Sequence, residues 1–441
     1  MSGNALARPP SPVPARRPLA MLAALLTMAA LLGGCTTRDR LNPLDPANTE
    51  TSGAIPGFSA IAANGLVELR WTPLTQKGVD SYALHRWSPG GAPLAVPGAV
   101  FGPQSSGTID FDVDNDSTYI YRLVARFSFG DSALSLPDSA TPGNRYISIL
   151  GADPAAILTL SPDARDVISV SLSDNAFEDF DIDRERDVLW LSDPVLGLIF
   201  RRGLNGEVGG VTIQTQGVTD VSVSNLRGIG WAAAPERQVV QAFGPDLDDP
   251  TPRLTVAGVG HARVVEAGTL DPTVWIGNDE GTVFRVNPTD GSVLEQWSLG
   301  ASIRAIALDE VVQGAWVATT RGGVNDLYYF APGDTAVVAI RVGLDNVADL
   351  EVEPLTRTLW VSERGRPRSG AGRVSRLAAD GTTLATRGGL EPYGMETEAG
   401  LNHVWVTDLA SNRLYELDAN ASILRRGPPI GVPYGVIVHH P

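Results

Sequence analysis

The sequence predicts an all-β protein in which a small β-sandwich precedes a β-propeller. Three observations favour this fold class. A tryptophan recurs at intervals of 41, 44, 41, 44 and 45 residues from Trp190 to Trp405, nearly always inside a short apolar run. Short alternating runs fill much of the remaining chain, and 47 glycines and 32 prolines among 441 residues supply the turns between them. The repeats do not show the 3.6-residue period of a helical repeat.

Residues 1–34 are predicted to be a secretory signal peptide. Three arginines precede an uncharged run at residues 19–32, which is too short to span a bilayer and has the length of a signal-peptide core. The run ends in Leu-Gly-Gly-Cys, and Cys35 is the only cysteine of the chain. This arrangement resembles the lipobox of bacterial lipoproteins, which implies that Cys35 is acylated and becomes the first residue of the mature protein. An ordinary signal peptide with a chance cysteine is the alternative.

The residue after the anchor sets the predicted location. Thr36, not an aspartate, follows Cys35. By the sorting pattern of such lipoproteins this implies the outer membrane of the bacterial cell envelope, in either its periplasmic or its surface leaflet. Residues 35–54 are mostly polar and are predicted to form an extended tether, so that the protein meets the membrane through its lipid anchor only.

Composition excludes several classes of function. The net charge of −16 disfavours binding to a phosphate backbone, so no nucleic-acid partner is expected. A single cysteine excludes a disulfide framework and a cysteine-based zinc site.

Residues 55–141 are predicted to form the sandwich. Short alternating strands surround Trp71, and a longer alternating run begins near Tyr119. These two residues and the run Thr-Tyr-Ile-Tyr-Arg-Leu-Val-Ala from residue 118 resemble a fibronectin type III domain. The resemblance implies that Trp71 is the core tryptophan, that the Tyr119 hydroxyl ties back to the chain, and that the domain is a spacer or adhesive module without catalysis.

Residues 142–441 are predicted to form the propeller, with seven blades favoured and six as the alternative. A period near 43 residues with several short strands per unit is typical of propellers. A step of 44 residues back from Trp190 reaches Tyr146, in a unit that lacks its inner strand. The C-terminal run that starts Pro-Tyr-Gly at residue 433 supplies one. The last strand is therefore expected to complete the first partial blade and close the ring.

The last full repeat carries the most regular motifs. These are Pro-Tyr-Gly-Met from residue 392, Val-Trp-Val-Thr-Asp from residue 404 and Asn-Arg-Leu-Tyr-Glu-Leu from residue 412. They resemble the blade of virginiamycin B lyase-like and NHL/YVTN-type propellers. The resemblance implies the fold and little about activity, because such propellers host lyases, lactonases and plain binding proteins.

Propeller ligands usually bind at one mouth of the central channel, at the start of the inner strands. Counting back 11 or 12 residues from each tryptophan, and taking the matching C-terminal position, places one residue of each blade at this mouth. The candidate ring is Asp179, Asp220, Arg263, Arg304, Asp349, Gly394 and Gly435, with Tyr393 and Tyr434 beside the glycines. The glycines are expected to leave space, and the tyrosines to flank it as a stacking wall.

Two interpretations of the ring stay open. In one, Arg263 pairs with Asp220 and Arg304 pairs with Asp349, so that the charges only neutralise a narrow channel. In the other, both arginines grip a carboxylate or phosphate group of a ligand. The ligand-binding interpretation also offers a metal site, in which Asp179 and Asp220 bind Ca²⁺ or Mg²⁺. No cofactor is required otherwise.

The favoured function is non-catalytic binding of a protein or a polar small ligand at the envelope, through the propeller mouth. The alternatives are a metal-dependent lyase or lactonase-type enzyme at the same mouth and a purely structural envelope component. His261 is the one histidine expected near the mouth, as a general base or as an exposed bystander. The lyases that the propeller resembles use a histidine and a glutamate with a divalent ion, and that pair does not match positions of this sequence.

Overall fold

A computed structural model describes residues 44–45, 48, 51–74, 78–173, 177–204, 210–224, 228–268, 273–365, 371–398 and 401–440. The predicted signal peptide and the predicted lipid-anchor residue, Cys35, lie outside these residues, as does most of the predicted tether. The all-β prediction is confirmed. Apart from one 3₁₀ turn at Pro235–Arg237, the regular elements of the described residues are strands. Within the described residues, no helix has the length and the apolar character needed to cross a bilayer.

The first eight strands form two facing sheets. One sheet has the order β1-β2-β5, and the other has the order β4-β3-β6-β7 with β8 paired to β6. The strands are β1 (Ser59–Ala63), β2 (Leu66–Arg70), β3 (Val79–Trp87), β4 (Leu94–Phe101), β5 (Gly107–Asp110), β6 (Tyr119–Phe127), β7 (Ser132–Leu134) and β8 (Asp138–Ala140).

One apolar core joins the two sheets of this sandwich. Trp71 is 4% exposed and its ring centroid lies 5.7 Å from that of Tyr82 and 5.6 Å from that of Phe101. The Tyr119 hydroxyl accepts a hydrogen bond from the backbone N–H of Asp114 at 3.0 Å, so the expected tie back to the chain is present.

The remaining strands form seven four-stranded antiparallel sheets. Their orders are β11-β10-β9-β36, β12-β13-β14-β15, β16-β17-β18-β19, β20-β21-β22-β23, β24-β25-β26-β27, β28-β29-β30-β31 and β32-β33-β34-β35. The strands are β9 (Tyr146–Ala152), β10 (Ala155–Leu160), β11 (Val167–Leu172), β12 (Asp179–Asp183), β13 (Val188–Asp193), β14 (Leu198–Gly203), β15 (Ile213–Gln214), β16 (Asp220–Ser224), β17 (Ile229–Ala234), β18 (Val239–Phe243), β19 (Pro252–Ala257), β20 (Ala262–Ala267), β21 (Val274–Asn278), β22 (Thr282–Val286), β23 (Val293–Ser298), β24 (Ser302–Asp309), β25 (Gly314–Thr320), β26 (Val324–Phe330), β27 (Ala339–Asp345), β28 (Val347–Glu353), β29 (Thr358–Glu363), β30 (Gly372–Leu377), β31 (Thr383–Leu390), β32 (Pro392–Glu398), β33 (His403–Asp408), β34 (Arg413–Leu417), β35 (Ile423–Arg426) and β36 (Pro433–His439).

The sheets are arranged in a closed ring. The inner strands β12, β16, β20, β24, β28, β32 and β36 contact one another in this cyclic order, and β36 in turn contacts β12. The C-terminal strand β36 pairs antiparallel with β9, with Val436 opposite Ile149. The last strand therefore completes the first sheet, which removes the open edges that an unclosed ring would leave.

A cluster of buried polar side chains stabilises the ring where its first and last strands meet. Arg145, just before β9, donates from Nη1 to both carboxylate oxygens of Glu398 at 2.6 Å. Their side chains are only 6% and 1% exposed. Trp405 donates from Nε1 to the same carboxylate at 3.0 Å, and the Nε2 atom of His440 lies 3.0 Å from it. The start and the end of the ring thus share one carboxylate.

The recurring tryptophans fill the space between neighbouring sheets. The six that define the repeat lie on the second strands and are at most 1% exposed. Trp190 packs so closely on Gly230 of the next sheet that a Cβ there would lie 2.5 Å from the indole ring. In the first sheet, Ser148 lies opposite Ile437, at the register that tryptophan occupies elsewhere. Tyr146 is instead 38% exposed, so the step of 44 residues was two residues off.

Candidate ligand-binding site at the mouth of the channel

A cavity of about 230 Å³ opens at one end of the ring axis. It is lined from all seven inner strands. The structure brings together around it the residues singled out from the sequence: Asp179, Asp220, Arg263, Arg304, Asp349, Tyr393, Gly394, Tyr434 and Gly435. Glu178 lines the same cavity.

The polar groups of the mouth fall into three sectors. An acidic sector on β12 and β16 carries Asp179 and Asp220, and a basic sector on β20 and β24 carries Arg263 and Arg304. The aromatic sector on β32 and β36 carries the two tyrosines. Asp349 on β28 separates the basic sector from the aromatic one.

Backbone irregularities mark the mouth in five of the seven inner strands. The pairing register with the second strand shifts at Arg263, at Arg304, at Ala348, across Tyr393 and Gly394, and at Tyr434. A bulge of this kind turns a side chain away from the direction that strict alternation gives it, and bulges are common beside binding sites.

Carboxylates of the acidic sector bridge neighbouring sheets. Oδ2 of Asp179 accepts the backbone N–H of Val221 at 3.0 Å, and Oδ2 of Asp220 accepts that of Val265 at 2.6 Å. Each therefore stabilises the inner strand of the next sheet. The two carboxyl groups are also hydrogen-bonded to each other. Within the described residues, no backbone group donates to the second oxygen of either.

In two other aspartates, both carboxyl oxygens already accept hydrogen bonds from backbone N–H groups. Asp349 accepts the N–H of Met395 at 2.7 Å through Oδ2 and that of Leu350 at 2.8 Å through Oδ1. Asp181, deeper in the channel, accepts two backbone N–H groups in the same way. Their oxygens have less capacity left for a ligand than those of the acidic sector.

Burial makes these carboxyl groups hard to ionise. Burial and the adjacent Asp220 carboxylate raise the pKa of Asp179 well above its usual range. Burial also raises the pKa of Asp220 to about 7, although the Val265 N–H and the Arg304 guanidinium oppose the shift. The pKa of Asp349 rises to about 6 for the same reason, again opposed by Arg304.

Of the two interpretations of the ring, the structure contradicts the ion-pair one. Within the described residues, neither Arg263 with Asp220 nor Arg304 with Asp349 comes within the 4.0 Å of an ion pair. The propeller arginines that do form such pairs lie elsewhere: Arg145, Arg165, Arg184, Arg186, Arg285, Arg357, Arg364, Arg373 and Arg425. The side chain of Arg304 donates from Nε to the carbonyl of Val347 at 3.2 Å. Bulges at both arginines re-aim their side chains, which explains why the register argument mispaired them.

The expected space beside the tyrosines is also absent. A Cβ on Gly394 would lie 2.6 Å from the backbone oxygen of Tyr434, and one on Gly435 would lie 2.5 Å from the Phe180 ring. The glycines therefore allow neighbouring inner strands to approach closely. Tyr393 and Tyr434 pack edge to face, with ring centroids 6.0 Å apart at 76°. Both rings line the mouth cavity as an aromatic wall.

Each tyrosine of the wall is held by a further contact. The guanidinium of Arg364 lies over the Tyr393 ring, 5.0 Å from its centroid. The Tyr434 hydroxyl donates to the carbonyl oxygen of Phe177. Burial, with the nearby Tyr393 ring, raises the pKa of Tyr434 to about 12, so this hydroxyl stays protonated.

A second tier of acids lies deeper in the channel. Glu266, Glu351 and Glu396 line both the mouth cavity and a cavity of about 510 Å³ at the opposite end of the axis. Arg184 enters from that end and donates to Glu396 at 2.7 Å. Burial, partly offset by Arg184, raises the pKa of Glu396 to about 7, and burial raises the pKa of Glu266 and Glu351 well above their usual range.

Sequence reasoning missed this tier, although the signal was present. Asp181 and Glu351 lie two residues beyond the mouth aspartates of the same strands, where a β-strand returns to the same side. Glu266 lies three residues beyond Arg263 because of the bulge, which breaks the simple count.

The metal and catalytic predictions gain no geometric support here. Within the described residues, no group of three or more His, Cys, Asp or Glu side chains is arranged to hold a metal ion. Asp179 and Asp220 remain a candidate pair for Ca²⁺ or Mg²⁺. His261 is exposed, contacts Glu280 through Nδ1 and lies 3.3 Å from Gln238, and it does not line the cavity.

The fold and this site define a propeller protein with a polar cavity on its axis. Among solved structures, the chain is similar to one titled hydrazine synthase of Kuenenia stuttgartiensis, with a TM-score of 0.51 and 11% identity over 60% of this chain and 90% of that chain. It is similar to a functionally unknown protein from Desulfotomaculum acetoxidans DSM 771, with a TM-score of 0.54 and 13% identity over 67% of this chain and 99% of that chain.

A chain of a nidogen/laminin complex also matches, with a TM-score of 0.44 and 15% identity over 67% of this chain and 98% of that chain. No family model and no curated protein matches the sequence. At identities of 11% and 13%, the first two structures show a likeness of fold alone. This likeness is consistent with the β-propeller described above.

Proposed function

We propose that this chain is a lipid-anchored protein of the bacterial envelope that binds a small polar ligand at the propeller mouth without catalysis. Arg263 and Arg304 hold an anionic group of the ligand, a carboxylate or a phosphate. A fibronectin type III-like spacer lies between the anchor at Cys35 and the propeller.

One observation carries the binding proposal. Arg263 and Arg304, on neighbouring inner strands, both line an open cavity of about 230 Å³, and within the described residues neither forms an ion pair with a carboxylate. An arginine that only neutralised the channel would pair with the acids beside it. Charge-assisted hydrogen bonds from two guanidiniums are well matched to a carboxylate or phosphate group.

The binding proposal is tested by thermal shift of the purified full-length chain. The probes are acetate, succinate, phosphate, sulfate and the twenty standard L-amino acids, each at low ionic strength because charge contacts are screened by salt. A bound probe raises the melting temperature by mass action. Arg263→Ala and Arg304→Ala are expected to remove the shift.

Arg253→Ala is the matched control, since Arg253 is exposed on the outer strand β19 and lines neither axial cavity. It should keep the full shift. The proposal fails if no probe stabilises the chain, or if a stabilising probe acts equally on the Arg304→Ala protein.

The anchor is tested separately. Labelled palmitate should enter the wild-type chain and not the Cys35→Ser variant, and only the variant should leave the membrane fraction. Label in the variant would contradict acylation at Cys35.

The metal-dependent alternative makes a different prediction for the same thermal assay. Ca²⁺ or Mg²⁺ would raise the melting temperature, and the shift would vanish in an Asp179→Asn/Asp220→Asn variant. Such a result would place a metal site in the acidic sector and favour an enzyme.

A further inference from the structure

The mouth cavity presents opposite charges in two adjoining sectors. Asp179 and Asp220 lie on β12 and β16, and Arg263 and Arg304 lie on β20 and β24. These four inner strands are consecutive around the ring. A ligand that fills the cavity therefore meets acids and bases side by side.

We propose that the mouth binds a small zwitterion, a free α-amino acid. Its carboxylate lies on Arg263 and Arg304, and its ammonium group lies on the carboxyl oxygens of Asp179 and Asp220 that the backbone does not use. This inference rests on the proposed function, because the same two arginines hold the anionic group.

The balance of charge argues against a ligand with only negative charge. Two arginines line the cavity, against eight carboxyl groups: Glu178, Asp179, Asp181, Asp220, Glu266, Asp349, Glu351 and Glu396. An anion that reaches the two guanidiniums therefore also faces a surplus of acids. Burial raises the pKa of seven of the eight and favours their neutral forms, whereas an ammonium group on the same ligand favours their ionised forms.

The deeper acids add to this argument. Within the described residues, the side-chain carboxyl groups of Glu266 and Glu351 form no hydrogen bond and no ion pair, whereas that of Glu396 is paired with Arg184. A positive group in the mouth cavity would approach these two carboxyl groups from the mouth side of the channel. Burial raises the pKa of both groups well above the usual range and favours their neutral forms, so a cation in the cavity would stabilise their ionised forms.

The size of the cavity fits a single amino acid. A volume of about 230 Å³ equals that of about eight water molecules in the liquid, at roughly 30 Å³ each. That is below the range of about 300–1,000 Å³ typical of pockets for larger ligands. The edge-to-face pair of Tyr393 and Tyr434 offers an apolar wall for the side chain of the amino acid.

The test compares each amino acid with two blocked forms. The full-length chain is titrated calorimetrically with the twenty standard L-amino acids, with the N-acetyl form of each, which lacks the cation, and with the amide of each, which lacks the anion. At least one amino acid should bind, and both of its blocked forms should bind at least tenfold more weakly.

Variants assign the two halves of the site. Asp220→Asn keeps an oxygen that can accept the Val265 N–H, so the sheets stay joined. It should weaken the binding of the amino acid and leave the binding of its N-acetyl form unchanged or stronger. Arg304→Ala should weaken both. Asp290→Asn, in an exposed turn, is the control and should change neither.

The outcomes separate this inference from the proposed function. If acetate, phosphate or an N-acetyl form binds as tightly as the amino acid, the anion site stands and the zwitterion is overturned. If an amide binds as tightly as the amino acid, the anionic half is wrong and both proposals fail. If no amino acid binds at 10 mM while a simple anion does, only the zwitterion is overturned.

Discussion

The closure of the ring depends on one buried carboxylate, and its removal should destabilise the whole propeller. Glu398 is 1% exposed and accepts hydrogen bonds from Arg145 and Trp405, with His440 also 3.0 Å away. In Glu398→Gln an amide N–H₂ group replaces one acceptor oxygen and faces these donors, while the Arg145 charge remains buried. Breaking a buried ion pair by removing one partner costs about 3–5 kcal/mol.

The expected change in melting temperature follows from the size of the propeller. Unfolding entropies near 2.1 cal/mol/K per residue give about 0.6 kcal/mol/K for the roughly 300 residues of this domain. A loss of about 3 kcal/mol then lowers the melting temperature by about 5 °C. Differential scanning calorimetry of the full-length chain measures this shift in the propeller transition.

Two further variants sharpen the experiment. Arg145→Met combined with Glu398→Met removes both charges, and it should recover at least half of the loss, because no uncompensated charge remains. Glu68→Gln is the control, because it breaks an ion pair with Arg70 in which the Glu68 side chain is 39% exposed and the Arg70 side chain is 60% exposed. It should change the unfolding free energy by less than about 1 kcal/mol. A shift of less than 1 °C in Glu398→Gln would refute the reasoning.

The remaining predictions concern packing and pH. Gly230→Ala places a Cβ about where the Trp190 ring lies and should lower the unfolding free energy, measured by urea denaturation, by roughly 1–3 kcal/mol. Gly388→Ala, whose Cβ would have no atom within 4 Å, should leave the unfolding free energy nearly unchanged. Equal effects of the two substitutions would contradict the packing. The folded-state pKa of Asp220, about 7, lies above its unfolded value near 4, so the folded chain binds more protons in between and loses stability as pH rises from about 4 to 7. The melting temperature of Asp220→Asn, relative to that of the wild type, should therefore be higher at pH 8 than at pH 5. An equal difference at the two pH values would contradict the raised pKa.

The sequence carried enough to predict the architecture, because each repeat must fill the same space. One large ring per repeat packs between neighbouring sheets, as Trp190 does on Gly230, so its spacing counts the repeats. The C-terminal Pro-Tyr-Gly run matched that of the preceding repeat, which located the closing strand. The first repeat has Ser148 at the tryptophan register, and the spacing argument therefore slipped there by two residues.

The sequence predicted which residues line the mouth of the channel, but it did not predict which of their charged side chains form ion pairs. Counting back from the tryptophans found residues that line one cavity, because 11 or 12 residues separate the mouth of an inner strand from the tryptophan on the strand that follows. Bulges at Arg263 and Arg304 change the direction of these side chains, and single-sequence alternation holds no signal for a bulge. The same limit applies to Gly394, where only the folded ring shows the neighbouring strand in close contact.

Arg263 and Arg304 are proposed to hold an anion at the propeller mouth. The most direct measurement is the crystal structure of the full-length chain soaked in selenate, with the selenium located by anomalous scattering. We expect a selenium peak between the two guanidiniums, with selenate oxygens at about 2.7–2.9 Å from their nitrogens. A crystal with no peak there, and with Arg263 paired to Asp220 and Arg304 paired to Asp349, would contradict the proposal.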